Sequence, residues 1–356
     1  NKIILVTGGC GFIGSNFIRT LLKNFNSKIF NIDKLNYASD STGINEIIIQ
    51  NKNLLESKYK FLKINLEDFE LTKAAIEHIK PDIIFNFAAE SHVDRSIENP
   101  YSFLSSNVTG TFNLLESVRD YYEKINNNKK ENFRFHHIST DEVFGTLGEK
   151  GLFSEKSQYS PRSPYSASKA ASDHLVNSWF HTFGIPTLIT NCSNNYGPWQ
   201  FIEKFIPVII LKAISEETIP IYGSGSNIRD WLFVEDHINA LLLVASKGKI
   251  GNTYCVGGSN EKTNLDICKA IFNILNNIHS REIDYQNLIN FVEDRPGHDQ
   301  RYAIDPSKIK DELGWEPLLS FEESLMITVR WYLNNIKWCK YMEEKSGYRG
   351  ERIGIK

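Results

Sequence analysis

Two side chains able to move protons stand next to each other in HISTDEVFG, residues 137 to 145: Asp141 and Glu142. Adjacent carboxylates repel, and Asp and Glu are poor strand formers, yet the pair closes an apolar run that reads as a buried strand. Held close together, two carboxyls can divide the work of general acid and general base, because repulsion and burial keep one protonated while the other ionises. The bland alternative is a solvated turn after a strand. A second pair lies in SPRSPYSASKAASDHLV. Ser163 suits a helix cap and Pro164 the first turn, so Tyr165 and Lys169, four apart, share one helix face. A phenol with a pKa of about 10 is a poor base at neutral pH. A fixed ammonium one turn away favours the phenolate, which would let Tyr165 take a proton from an alcohol as hydride leaves the same carbon. Alone, Tyr-x-x-x-Lys is common and describes many surface helices.

The start of the chain supplies the context. ILVTGGCGFIGSNF is a strand, then Gly9-x-Gly11-x-x-Gly14, then a helix. The glycines permit a tight turn and the close approach of a pyrophosphate, which the helix N-terminus would hold through its unpaired N–H groups. The next strand ends at Asp33, where an acid accepts from an adenosine ribose and repels a 2′-phosphate, so NAD is expected rather than NADP.

These residues need a scaffold that brings strand ends together. Apolar runs at 3–6, 29–32, 61–64, 82–87, 133–138 and 187–190 read as strands covered on both faces, alternating with helical segments such as GTFNLLESVRDYYEKI. That alternation predicts an α/β fold, a Rossmann-type doubly wound parallel sheet. After about residue 192 the rhythm breaks into short strands (IPIYG, NTYCVGG) and loops, which predicts a smaller mixed α/β substrate lobe. The boundaries are 1–192 for the NAD-binding domain and 193–356 for mainly the lobe, some of whose segments return to the first domain. Ser320 and Glu323 have capping-box spacing ahead of an amphipathic helix. EKINNNKKEN (123–132) reads as a solvated loop, and YRGERIGIK (348–356) as an ordered or semi-ordered tail.

The net charge of −3 gives no electrostatic case for nucleic acid or an anionic membrane. Five scattered cysteines without a C-x-x-C point to free thiols in a reducing compartment. KIILVTGG is too short and glycine-punctuated for a signal peptide, and no apolar run is long enough for a bilayer, so the cytoplasm is the default. No His/Cys/Asp cluster has metal-site spacing, and no metal is expected.

The glycine turn and the Tyr165–Lys169 helix together resemble the extended short-chain dehydrogenase/reductase superfamily, which acts mainly on nucleotide sugars. That resemblance implies a partner hydroxyl at Thr140. Six segments in order narrow it: STDEVFG, AAESHVDRSI (88–97), DKLNYA (33–38), NNYGP (194–198), RDWLFVEDH (229–237) and EDRPGHDQRYAID (293–305) look like the dTDP-glucose 4,6-dehydratase family. The implied activity is a lyase working with tightly bound NAD. Tyr165 starts oxidation at C4, Glu142 takes the C5 proton, Asp141 donates to the C6 oxygen, water leaves, and the hydride returns to C6. The implied cofactor residues are Gly8, Gly11, Phe12, Ile13, Gly14, Asp33, Lys34, Leu35, Asn36, Asn65, Leu66, Phe87, Ala88, Ala89, Ser91, Ser106, Tyr165, Lys169 and Asn195. Those implied for the substrate are Ser91, Thr140, Asn194, Lys204, Phe205, Ile206, Pro207, Pro220, Ile221, Tyr222, Arg229, Asn264, Arg295 and His298. An arginine fork matches a diphosphate; Arg301 stands between that role and a salt bridge. His92, Asp94 and Arg95 are expected as a structural network, and His136, His137 and His174 as packing or solvated residues.

The sequence departs from the family pattern at Asn65, where an acid is usual, and at Trp199 and Ile202, where tyrosine and proline are usual. A UDP-sugar 4-epimerase, another nucleotide-sugar 4,6-dehydratase and a cofactor-sensing protein without catalysis remain as alternatives. The superfamily commonly forms homodimers through a four-helix bundle, which segments 105–124 and 165–182 could build.

Overall fold

The computed structural model describes residues 2–279 and 283–351, apart from the side chains of residues 53 and 54; the last five residues of the expected tail lie outside it. Among the described residues twelve strands follow in order: β1 (Ile3–Thr7), β2 (Lys28–Asp33), β3 (Tyr59–Lys63), β4 (Ile83–Asn86), β5 (Arg134–Thr140), β6 (Thr187–Cys192), β7 (Asn194–Tyr196), β8 (Ile219–Tyr222), β9 (Ile228–Phe233), β10 (Thr253–Val256), β11 (Glu261–Thr263) and β12 (Ile289–Val292). Seven form one sheet in the order β10-β6-β5-β4-β1-β2-β3, every pairing parallel. The chain leaves β3 at one edge and re-enters at β4 beside β1. The order therefore reverses between β1 and β4, where an open α/β sheet has its crevice.

Alternation along each strand explains the two-sided core. Ile4, Val6 and Phe85 pack with Phe17, Ile18 and Leu21 of the helix Phe12–Asn24, whereas Leu5 and Ile84 pack with Leu114, Leu115 and Val118 of the helix Gly110–Lys124. Burial on both faces is why these strands read as continuous apolar runs.

Two pieces of the second half return to this domain. NTYCVGG forms β10 and extends the large sheet beside β6, and the helix Val234–Lys247 packs on the same face as Phe12–Asn24. The smaller lobe carries β11-β9-β7 and β12-β8, with helices Phe205–Ile214, Asn264–Ile278, Phe321–Asn334 and Ile336–Ser346 around its own apolar core. Ser320 and Glu323 form the expected capping box. The expected loop at 123–132 instead ends in a short helix, Asn127–Asn132. The Asn126 side chain accepts from the Lys129 N–H, which is enough to nucleate one exposed helical turn without burying anything.

Candidate active site

The carboxyl ends of β1, β2, β4, β5 and β6 open onto a cleft of about 300 Å³. At its floor Gly8 has φ +68°, and a Cβ there would lie 2.6 Å from the Ala88 nitrogen. A Cβ at Gly14 would lie 2.4 Å from the Gly8 carbonyl. Backbone thus closes on backbone where only glycine fits. No side chain caps the helix Phe12–Asn24 and no acid stands in its first turn, so its N-terminus faces the cleft with its positive end uncompensated. Asp33 is held rigidly: one oxygen accepts from the Cys10 N–H (2.9 Å), the other from the Leu35 N–H (2.7 Å) and the Ser39 hydroxyl (3.2 Å).

Every residue expected to hold the cofactor lines this cleft except Leu35. Leu35 sits at φ +60° with its side chain substantially exposed, so only its backbone contributes, through Asp33. Lys34 spans the wall to Glu90 (2.9 Å) and the Ser106 hydroxyl (2.9 Å). Asn65 accepts from the Glu67 N–H through its amide oxygen (3.2 Å).

The acid pair answers to local geometry. After Thr140 the chain turns into a 3-10 helix, Asp141–Phe144, whose Glu142 N–H donates to the Thr140 hydroxyl (3.3 Å). Glu142 reaches the cleft wall together with Thr140, Tyr165 and Lys169. Asp141 lies behind it, 1% exposed, and its Oδ2 has no hydrogen-bond partner among the described residues. Burial first, then Glu142 and Asp230, push the Asp141 carboxyl well above the ordinary carboxylate range. Burial also raises Glu142, but Arg295, Arg229 and Lys204 pull it back. The two carboxyls are therefore separated in acidity, with Asp141 the one that keeps its proton.

The helix Pro164–Phe183 begins with the capping box Ser163–Ser166 and Pro164 in its first turn, which sets Tyr165 over the cleft. Its phenol is pushed well above the usual range by burial and then by Glu142, with the Thr140 hydroxyl acting against them. Lys169 follows one turn on from Tyr165 along the same helix and lines the same cleft. Its ammonium donates to the Ile138 carbonyl (2.9 Å) and stands 3.4 Å from His137 Nε2.

Of the residues expected at the substrate, Ser91, Thr140, Asn194 and Lys204 line the cleft. Lys204, Arg229 and Arg295 form a positive field around Glu142. Arg229 donates to the Ile228 and Asp299 carbonyls (2.7 and 2.9 Å) and lies over the Tyr302 ring (4.3 Å). Arg295 is tied to Asp94 (2.7 Å), His298 to Asp294 (2.6 Å), and the Tyr222 hydroxyl donates to Asp94 (3.1 Å). The side chains of Ile206, Pro207 and Ile221 are buried, the two isoleucines in the lobe's core, so only their backbone is available to a ligand. Phe205 lies against Trp231, Pro220 pairs with Asn290 in β8–β12, and the Asn264 N–H donates to the Asn227 carbonyl. Arg301 makes a two-pronged salt bridge to Glu261 (2.6 and 2.8 Å) and also donates to the Gly148 and Gly151 carbonyls, which is the structural reading.

Sequence reasoning passed over Tyr37, Glu90, Gln200, Phe201 and Glu203, which also line the cleft. Glu203 is the most consequential. It accepts two hydrogen bonds from Arg95 (3.0 and 2.9 Å) and one from the Tyr37 hydroxyl (2.7 Å), while Arg95 lies 3.9 Å over the Tyr37 ring. Its signal was adjacency to Lys204, and Tyr37 stood inside DKLNYA. Asn195 turns its amide oxygen to His237 (2.9 Å) and its N–H to the Ser193 carbonyl (3.0 Å).

A parallel dinucleotide sheet with a tyrosine–lysine helix and two carboxyls beyond β5 defines a nucleotide-sugar-modifying short-chain dehydrogenase/reductase. Residues 5–328 match the model of the GDP-mannose 4,6-dehydratase family. The chain is 49% identical to dTDP-glucose 4,6-dehydratase of Xanthomonas campestris over 98% of each chain, and 48% identical to that of Escherichia coli over 99% of each. Among solved structures it resembles dTDP-glucose 4,6-dehydratase of Bacillus anthracis in complex with NAD, with TM-score 0.82, 39% identity and coverage of 95% and 99% of the two chains. A Streptomyces venezuelae dTDP-glucose 4,6-dehydratase with NAD bound gives TM-score 0.85 at 36% identity, again covering 95% and 99%. This chain belongs to the dTDP-glucose 4,6-dehydratase family.

Proposed function

We propose that this chain converts dTDP-glucose to dTDP-4-keto-6-deoxyglucose and water with bound NAD. The observation that carries the reading is the acid pair: a cleft-facing Glu142 backed by a buried Asp141 whose carboxyl is held well above the ordinary carboxylate range, both beside Tyr165. An epimerase of the same fold needs the threonine, tyrosine and lysine only. The glycine cradle, the uncapped helix end and Asp33 fit the dinucleotide. When bound, NAD supplies the hydride acceptor for oxidation at C4 and the hydride that returns to C6, with no net redox change.

The protein's part is proton movement and orientation. Tyr165 Oη, as the phenolate that Lys169 and the positive charge of bound NAD would favour, takes the proton of the C4 hydroxyl, and the Thr140 hydroxyl aligns that oxygen. The C4 ketone acidifies the C5 proton, and the Glu142 carboxylate removes it. Asp141, still protonated, donates to the C6 oxygen as it leaves as water. Glu142 returns its proton to C5 when C6 is reduced. Lys204, Arg229 and Arg295 hold the diphosphate. The test is incubation with NAD and dTDP-glucose. The product must have lost the mass of one water and show the alkali-induced near-ultraviolet absorbance of a 4-keto-6-deoxy sugar. A UDP-glucose to UDP-galactose conversion without loss of water would support the epimerase instead.

The functional form is a homodimer paired through Gly110–Lys124 and Pro164–Phe183 as a four-helix bundle. Phe112, Trp179 and Phe183 form a continuous run of rings across these two helices, and Phe112 and Phe183 are exposed. A cytoplasmic setting suits the five cysteines, all buried and free, and no helix among the described residues is long and apolar enough to cross a membrane.

A further inference from the structure

Beneath Tyr165 lies a buried polar network that the reaction scheme does not use. Asp173 continues the helix face at the same four-residue spacing, Tyr165–Lys169–Asp173, and is fully buried, as is His137 on β5. The Thr7 hydroxyl donates to Asn86 Oδ1 (2.6 Å), which fixes the amide so that its Nδ2 donates to His137 Nδ1 (3.0 Å). His137 therefore carries its proton on Nε2, and that nitrogen faces both Asp173 Oδ1 (3.3 Å) and Lys169 Nζ (3.4 Å). The contact with Oδ1 is electrostatic rather than a well-aligned hydrogen bond, and Oδ1 has no other partner among the described residues. Asp173 Oδ2 accepts from three donors: the Ser139 hydroxyl (2.8 Å), the Tyr159 hydroxyl (2.9 Å) and Asn191 Nδ2 (3.3 Å). Three donors on one oxygen fix the carboxylate as an anion, with its free oxygen turned to the imidazole that touches Lys169.

We propose that Asp173, acting through His137, is the positioning residue that keeps Lys169 an ammonium on the cleft wall for the proton step at Tyr165. A lysine almost wholly buried has strong reason to lose its proton. Burial does lower Lys169, and Asp173 is the largest influence opposing it. Burial would raise Asp173, but His137, Lys169 and Ser139 outweigh it and hold the carboxyl below its ordinary range. His137, pushed to about 4 by burial and then by Lys169, stays neutral and transmits the field without titrating. The other groups facing the network are Cys192 from β6, its thiol raised above the titration range, and Tyr159 from the preceding loop, raised by burial and then by Asp173. His136, buried on β5, is pushed to about 3 by burial and then by His237. None of these supplies an alternative anion beside Lys169.

The inference rests on the dehydratase reading for the meaning of the Tyr165 step, and one readout is independent of turnover. In Asp173→Asn, the pH midpoint of Lys169, followed by its 13Cε resonance, falls by about one unit or more. The alkaline limb of the kcat profile moves down with it, kcat at pH 7 drops about 10-fold, and KM for dTDP-glucose stays within about twofold. His137→Gln shifts the Lys169 midpoint and the alkaline limb the same way by less, and Asp173→Glu keeps both near the wild type. Should Asp173→Asn not fold, His137→Gln and Asp173→Glu carry the test. A Lys169 midpoint unchanged in the folded variants, or a pH profile superimposable on the wild type, overturns the proposal. Absence of product from the wild-type enzyme would sink the dehydratase reading alone, since the Lys169 titration would still decide this one.

Discussion

Asp141 is buried with one oxygen unpartnered among the described residues, and its carboxyl is pushed up by burial, then by Glu142 and Asp230. Because its folded value is raised, the folded state holds the proton more tightly than the unfolded chain. Below the ordinary carboxyl pKa both states are protonated and the fold keeps its full stability; as pH rises toward the raised value the unfolded chain alone ionises and stability falls. Asp141→Asn should therefore raise Tm at pH 7 by roughly 1–3 °C and leave it unchanged near pH 4, read by calorimetry. The same variant should lower kcat by about 100-fold or more, the size of a lost general acid. Glu142→Gln should abolish the appearance of solvent deuterium at C5 of the product sugar. In the wild type, kcat should fall on the acid side as Glu142 takes up a proton, at a pH above its ordinary value because burial raises it, and on the alkaline side as Asp141 and Lys169 lose theirs. A monotonic profile would count against the division of roles. The acid pair and Tyr165–Lys169 were legible in the sequence because each is a local spacing. Glu203 and the Asp173–His137 contact were not, because their partners lie far along the chain, from 36 residues to over a hundred, and only the folded sheet brings them together.

The helix Pro164–Phe183 joins local sequence most directly to chemistry. Ser163 and Ser166 satisfy each other's backbone N–H groups, and Pro164 starts the helix directly after the Ser163 cap. Ser163→Ala should cost about 1 kcal/mol of stability by denaturant titration. It should also lower kcat more than it raises KM, because the first turn that carries Tyr165 loses its anchor. Equal loss in kcat and in folded fraction would show that only stability had changed. The early strands were readable as elements since burial on both faces leaves a continuous apolar run, and the glycine turn because backbone contacts exclude a Cβ. NTYCVGG was readable as a strand but not as an edge of the large sheet. A parallel partner such as β6 is chosen by the crossover path, which no short window encodes. The 123–132 segment was misjudged because one side-chain cap, Asn126, decides between a loop and a helical turn.

Across the whole molecule, the cleft is lined by strand ends of the first half and by Asn194, Gln200, Glu203 and Lys204 beyond them, and the cations around Glu142 come from segments beyond residue 200, so the two halves must be held in register. Glu203 does this by joining Tyr37 and Arg95 of the first half to the lobe, and Arg295–Asp94 does it again a short way off. A dimer built on Gly110–Lys124 and Pro164–Phe183 would stiffen the same helices that carry Tyr165, Lys169 and the adjoining segment with Ser106. Phe112 and Phe183 are exposed on these helices, and the proposed interface would cover them. Phe112→Glu combined with Phe183→Glu should shift the protein from dimer to monomer in analytical ultracentrifugation, because two buried charges per protomer cannot be paired across a two-fold axis. kcat should fall with dissociation and recover as protein concentration rises toward the weakened dimer constant, a concentration dependence absent from the wild type. A double variant that sediments as a dimer would place the interface elsewhere; one that is monomeric with undiminished kcat would show that the tyrosine helix needs no partner to hold its geometry.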